Sequence, residues 1–199
     1  MTDTALIKAF IQGDTTAFNR LVWRYEKPLY NFIYRYVGNR DTAQDLCQTA
    51  FIRMFKEIKK LRDPEKYTSW MYRIALNLCR DEFKKRKRRY FYSLEETFQE
   101  DGSKGTIHHP PPQETQSPQE RLENQEIGEI LKMAMSQIPE EQRVVIVMKQ
   151  YQGLKFTEIA EILQQPINTI KSRLYYGLRA LKQVLESSDL SKEVLLHEM

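Results

Sequence analysis

The chain has 199 residues and a mass of 23.8 kDa, with 41% hydrophobic and 29% charged residues, 7 Gly and 8 Pro. This composition excludes disordered, collagen-like and disulfide-rich classes and leaves room for one medium domain or two small ones. The formal charge of +4 conceals a segregation: residues 1–93 hold 20 Lys/Arg against 10 Asp/Glu (+10), residues 94–126 hold 2 against 8 (−6), residues 127–186 hold 8 against 6 (+2), and the tail 187–199 carries −2. Such a distribution fits a polyanion-binding module joined to a segment that avoids or imitates a polyanion.

Along the first half the pattern is helical throughout. A short helix over residues 3–12 closes at Gly13, with Asp14 as the next cap. From residue 15 to 37, Phe18, Leu21, Val22, Tyr25, Leu29, Phe32, Ile33 and Tyr36 recur at spacings of three and four, the mark of a helix buried on one side. Pro28 is placed to bend it. Gly38-Asn39 ends it, and Asp41 with Gln44 predicts a capping-box start for the next helix. There Leu46, Cys47, Ala50, Phe51, Met54, Phe55 and Ile58 form the buried stripe. Asp63-Pro64 interrupts, and a further helix is predicted from Ser69 to Arg89.

That last helix is the most informative element. At 100° per residue, Arg73, Asn77, Arg80, Lys84, Lys87 and Arg88 share about a third of the circumference, with Met71, Ile74, Ala75 and Leu78 opposite. Cations on one rigid face neutralise successive phosphates and release counterions. Asn77 can pair with an exposed base edge, and Tyr67, Trp70 and Tyr72 are expected to offer faces for stacking unpaired bases. The combination suits single-stranded or melted DNA better than an intact duplex.

Residues 93–117, with Gly102, Gly105 and Pro110 to Pro112, read as a polar linker between two domains. Extended, about 30 residues reach roughly 100 Å; as a coil they average about 30 Å. Beyond it, helices are predicted over residues 122–137, from Pro139 through Tyr151, over 158–163 with Thr157 as cap, and over 167–185 after the turn Gln164-Gln165-Pro166. A short helix, a tight turn and a longer helix carrying Asn168, Thr169, Lys171, Ser172, Arg173 and Tyr176 match a helix-turn-helix whose second helix enters a major groove. Ala160, Ile162, Leu163, Ile170, Leu174, Leu178 and Leu181 are expected to hold it together. The fold class is therefore all-α in two domains.

The motif order then carries a resemblance. Gly13-Asp14…Ala17-Phe18, Asp45-Leu46…Gln48…Ala50-Phe51…Phe55, Tyr67-Thr68-Ser69-Trp70-Met71-Tyr72-Arg73-Ile74-Ala75…Asn77, Ile138-Pro139…Arg143…Val145 and Thr169-Ile170-Lys171-Ser172-Arg173-Leu174 resemble bacterial RNA polymerase sigma factors of the extracytoplasmic-function group, which keep only sigma regions 2 and 4. The resemblance runs from about residue 5 to 185. It implies region 2 over residues 1–92, a flexible acidic linker over 93–120, region 4 over 121–186 and a tail over 187–199. It further implies that Asp45, Gln48, Thr49 and Arg53 dock on the clamp helices of the largest polymerase subunit. The segment from Tyr67 to Arg80 would then recognise the melted −10 element, with Lys84, Lys87 and Arg88 beyond it. The −35 duplex would be read by Lys171, Ser172, Tyr175 and Tyr176, with Asn168, Thr169 and Arg173 beside them. Many members carry Arg where this chain has Tyr176, which bears on −35 sequence preference. An anti-sigma factor is an expected partner, and the linker, with Glu95, Glu96, Glu100 and Asp101, is expected to lie where nascent RNA later passes.

Competing chemistry is sparse. Cys47 and Cys79 form no C-x-x-C pair, and His108, His109 and His197 have no metal-ligand spacing. No phosphate-cradling Gly-rich loop or H-E-x-x-H is present. Neither an enzyme nor a cofactor or metal is expected. No secretory leader is expected from residues 1–10, and the longest aliphatic run, residues 144–148, is far short of a membrane span; a cytoplasmic protein is expected. Two alternatives stay open on the residues: a stand-alone helix-turn-helix regulator, and a nucleic-acid-processing enzyme. The exposed polar pair Asp45 and Gln48 argues for a polymerase-bound role, since an operator binder has no need of it.

Overall fold

The computed structural model describes residues 1–96, 128 and 130–187, the first stretch with side chains as far as Arg88. The chain divides into two compact units. Among the described residues every regular element is helical.

The N-terminal unit is built from α1 (Asp3–Ile11), α2 (Thr15–Val37), α3 (Arg40–Glu57) and α4 (Tyr67–Glu96), with short 3₁₀ turns at Ile58–Lys60 and Pro64–Lys66. The Thr2 hydroxyl caps α1 by accepting from the Ala5 amide, and Asp14 caps α2 by accepting from Thr16. Pro28 lies inside a helix that runs unbroken through it. Gly38 ends α2 in the left-handed region at φ 74°, a conformation that costs other residues strain, and its amide donates to the Tyr34 carbonyl at 2.8 Å. The predicted capping box at Asp41 is corrected: Asn39 caps α3, its side-chain oxygen accepting from the Thr42 amide at 2.9 Å. Because Gly38 supplies the turn, Asn39 is already extended and takes the cap position two residues before Asp41, which leaves Asp41 and Gln44 inside the helix.

Two further departures concern α4. It begins at Tyr67 rather than Ser69, because the Pro64 turn, capped by Asp63 on the Glu65 amide, feeds directly into it. It also runs to Glu96 rather than Arg89, since no Gly or Pro intervenes before Gly102. Glu95 and Glu96 are thus helical residues, whereas Glu100 and Asp101 lie outside the described residues.

The core of this unit gathers Leu6 and Ile7 of α1, Leu21, Leu29, Phe32 and Ile33 of α2, Met54 of α3, and Tyr67, Met71 and Leu76 of α4, all nearly or fully excluded from solvent. Phe32 anchors the α2–α4 contact, its ring meeting the edge of Tyr72 at 5.2 Å. Phe55, expected in the stripe, is 47% exposed. Its ring still packs on Phe10 and Phe18 at 5.2 Å each, so it closes the end of the core as a lid with one open face.

In the C-terminal unit, a helix α5 over residues 130–136 leads through Pro139 into α6 (Glu140–Ile146). The helix widens into a π-helical turn at Val147–Tyr151. The run Val144, Val145, Ile146, Val147 and Met148 is buried on every side. Gly153 ends this segment, and α7 (Phe156–Leu163) and α8 (Ile167–Ser187) follow. Thr157 does not cap α7. The helix starts one residue earlier, and the Glu158 carboxylate reaches back to the Lys155 amide at 2.7 Å. The turn between α7 and α8 forms as expected: Gln164 adopts φ 53°, and the Gln165 amide donates to the Ala160 carbonyl at 3.0 Å. Ile159, outside the expected set, is fully buried, whereas Leu178 is 38% exposed.

Gly177 sets the approach of α8 to α6. A methyl group there would lie 2.9 Å from Ile146 Cδ1 and 3.1 Å from Gln142 Cβ. Gly177→Val is expected to destabilise this unit by about 1–3 kcal/mol through overpacking. Gly177→Ala should cost less, because alanine gains up to about 1 kcal/mol in helix propensity. Denaturant unfolding of the two variants checks the order.

Candidate nucleic-acid interface

Helix α4 is central to its unit, and its first three turns are enclosed. Tyr67, Ser69, Met71, Tyr72, Ile74, Ala75, Leu76 and Cys79 are buried, a far wider arc than one face. What remains outward is a narrow strip. Asn77, Lys84, Lys87 and Arg88 are exposed on it, and Trp70, Arg73 and Arg80 are partly exposed. Six cationic or amide side chains below one indole can hold a phosphate chain and present a stacking face at its end.

Tyr67 and Tyr72 correct the sequence reading. Tyr67 has no exposed surface: its hydroxyl points to the Met54 sulfur at 3.8 Å, and its ring lies against Tyr25 and Trp70. Burial pushes its hydroxyl well above the usual tyrosine range. Tyr72 is occupied by Phe32. Aromatics that alternate along the sequence do not share one helix face, and positions 67 and 71 to 72 turn inward at helical spacing. Of the three, only Trp70 faces outward enough to meet a base.

Arg86, part of the same basic run, is exposed but engaged within the unit. It binds Glu82 at 3.1 Å and the Thr42 hydroxyl at 2.5 Å, fastening α4 to the start of α3. Its position four residues after Glu82 signals the ion pair, whereas nothing in the sequence signals the Thr42 contact.

On α3, Asp45, Gln48, Thr49 and Arg53 are all exposed on the side away from Cys47, Ala50 and Met54. Arg53 pairs with Glu57 at 3.2 Å across one turn, a surface contact of little energetic weight. Ile52, 56% exposed, stands in the middle of these polar groups. The sequence reading missed it, although an isoleucine out of phase with the core stripe was the available signal.

In the C-terminal unit, α8 presents Asn168, Lys171, Ser172, Tyr175 and Tyr176 to solvent, while Thr169 is partly covered. The Tyr175 and Tyr176 rings meet edge to face at 5.5 Å and are 64% and 55% exposed. Two neighbouring bare tyrosines on a helix flank are poor design for water alone and well suited to a partner surface. Arg173 does not share this face. Its guanidinium turns to Glu141 of α6, bracing the helix pair. Arg179, exposed one turn beyond Tyr175, adds a cation that the sequence reading did not single out.

Cys47 and Cys79 are buried free thiols, and desolvation pushes both up to about 12, for Cys47 with the Glu26 charge adding to it. No described helix is long and apolar enough to cross a membrane.

The family description "Sigma-70 region 2" matches residues 21–89, and "Sigma-70, region 4" matches residues 122–181. The ECF RNA polymerase sigma factor SigW of Bacillus subtilis is 33% identical over 180 residues, covering 90% of this chain and 94% of its own. The ECF RNA polymerase sigma-E factor of Escherichia coli K12 is 28% identical over 183 residues, covering 91% and 93%. The fold is similar to that of CnrH, solved with the cytosolic domain of CnrY, at a TM-score of 0.68 and 19% identity over 94% of this chain and 99% of that one. It is also similar to RpoE of Bartonella quintana, solved with the anti-sigma factor NepR, at 0.67 and 21% over 86% and 98%.

Proposed function

The chain belongs to the extracytoplasmic-function group of the sigma-70 family, and from that we propose that its exposed faces divide promoter recognition among three helices. As a member, it works with RNA polymerase in promoter-specific initiation; a stand-alone regulator is not favoured. Helix α4 holds the melted −10 strand: Arg73, Arg80, Lys84, Lys87 and Arg88 neutralise phosphates, Asn77 bonds a base edge, and Trp70 stacks an unpaired base. Helix α8 reads the −35 duplex with Asn168, Thr169, Lys171, Ser172, Tyr175 and Tyr176. Arg179 supplies positive charge on the flank where Tyr176 lacks it. The α3 face of Asp45, Gln48, Thr49 and Arg53 docks on the clamp helices of the largest polymerase subunit, with Ile52 as its apolar centre.

The single observation that carries the reading is the strip on α4, where Asn77 and its cations are exposed while the rest of the helix is enclosed. Opening draws its free energy from capturing unstacked bases, and the chain itself performs no catalysis. Region 2 occupies residues 1–92, the linker 93–120, region 4 residues 121–186 and the tail 187–199. The protein acts in the cytoplasm. An anti-sigma factor is a partner on this reading, which the complex of Bartonella quintana RpoE with the anti-sigma factor NepR supports.

The experiment is reconstitution: the full chain with core polymerase on a promoter library, scoring core binding and start-site selection. Specific start sites are expected; binding to operators without core, or no selection, overturns the reading. Neutralising Lys84 and Arg88 together should flatten the salt dependence of binding to a forked promoter by about 0.7 in slope per lost phosphate contact. An unchanged slope would remove them from the DNA track.

A further inference from the structure

The first turn of α4 is tied to α2, and through it to α1, at one point. Asp3, opening α1, pairs with the Arg24 guanidinium, whose second nitrogen donates to the Met1 carbonyl at 3.0 Å. The Tyr25 hydroxyl of α2 donates to the other Asp3 oxygen. A phenol has one hydrogen, so the Thr68 hydroxyl, 3.3 Å away, is the donor to Tyr25. The Tyr25 ring meets Tyr67 edge-on at 5.6 Å, and Tyr67 in turn lies 6.0 Å from Trp70. Burial, and then the Asp3 bond, push the Tyr25 hydroxyl up to about 12, so it remains a donor across the neutral range. A core that needed only cohesion could fill this corner with aliphatic groups. Instead a carboxylate, a phenol and a threonine hydroxyl specify one orientation of three helices, immediately behind the indole.

We propose that Asp3 and Tyr25 are positioning residues for base capture: the Asp3–Tyr25–Thr68 chain fixes the rotation of the first α4 turn, and the ring contacts from Tyr25 through Tyr67 hold the Trp70 indole in its stacking pose. This rests on the reading of Trp70 as the group that meets the unstacked base. It gives α1, which carries none of the proposed contacts to DNA or polymerase, a part in opening. It also gives the buried Tyr67 a role as the wall behind the indole.

The test uses the full chain carrying Trp23→Phe, which removes the other tryptophan, 85% exposed, and leaves Trp70 as the sole reporter. Tyr25→Phe, Asp3→Asn and Thr68→Val are compared in holoenzyme on a promoter recovered from the library. Each is expected to lower permanganate reactivity of melted thymines about tenfold at equal core occupancy and, in the free chain, where Trp70 is the one tryptophan, to raise its acrylamide quenching about twofold. Tyr25→Phe combined with Thr68→Val should add nothing further, because both break one chain. Unchanged opening, unchanged quenching, or a loss of opening that merely follows the thermal midpoint overturns the proposal and leaves a plain structural staple. Trp70→Ala run in parallel separates the premise: if it opens promoters normally, the base-capture reading fails and positioning fails with it. If it is defective while the three variants are not, only the positioning role is lost.

Discussion

Trp70→Ala in holoenzyme is expected to lower the yield of open promoter about 10- to 100-fold while affinity for core polymerase stays within twofold. One base stacked on an aromatic ring contributes about 1–3 kcal/mol, which at about 1.4 kcal/mol per decade sets that range. Asn77→Ala, removing paired hydrogen bonds to a base edge, should fall in the same range and discriminate less between bases at one position. Core affinity should survive because the proposed polymerase face lies on a different helix, α3, where Asp45, Gln48 and Thr49 are exposed. Permanganate footprinting and a native-gel core-binding titration measure the two quantities on the same samples. Parallel loss of both would mean that Trp70 holds the unit together rather than the DNA.

Phe32→Ala is the substitution with the largest expected effect on stability. Its ring is fully enclosed, set between Tyr36 and the edge of Tyr72 at the α2–α4 contact. Removing a buried phenylalanine costs about 3–5 kcal/mol, part in lost transfer energy and part in the cavity left behind. For a unit of this size the unfolding midpoint should fall by roughly 15–30 °C, followed by circular dichroism. Since α4 leans on this ring, opening and core binding should be lost together at 37 °C. That pattern is the opposite of the one expected for Trp70. A midpoint shift of only a few degrees would show that Tyr36 and Tyr72 can close over the gap.

Helix number and order were legible because each helix announces itself locally. Apolar spacing from Phe18 to Tyr36 and the breakers Gly13, Gly38 and Gly153 depend on nothing beyond a few neighbouring residues. The ends were less so: Asn39 took the cap from Asp41, and α4 ran on to Glu96, because propensity marks where a helix can stop more sharply than where it does. The width of the buried arc on α4 was not readable at all. It is set by how many neighbours surround the helix, and a helix packed on α2, α3 and the Pro64 turn buries Tyr67 and Tyr72 as well as the expected Met71 and Ala75. Asn77 and Lys84 stayed outside because charge and amide groups have no partner within. Contacts between distant positions, such as Tyr25 with Thr68 or Arg86 with Thr42, leave no periodic trace in a single sequence.

The sealed positions of Cys47 and Cys79 have a practical consequence for watching this protein work. Maleimide dyes attack the thiolate, and a buried thiol pushed up to about 12 offers only about one part in 10⁵ of it at neutral pH. The natural chain is therefore close to silent toward such reagents while folded. A cysteine introduced at exposed Thr16 and another at exposed Lys182 would take up donor and acceptor fluorophores without first stripping the native pair. Energy transfer could then follow the separation of the two units from free chain, through polymerase binding, to the open promoter.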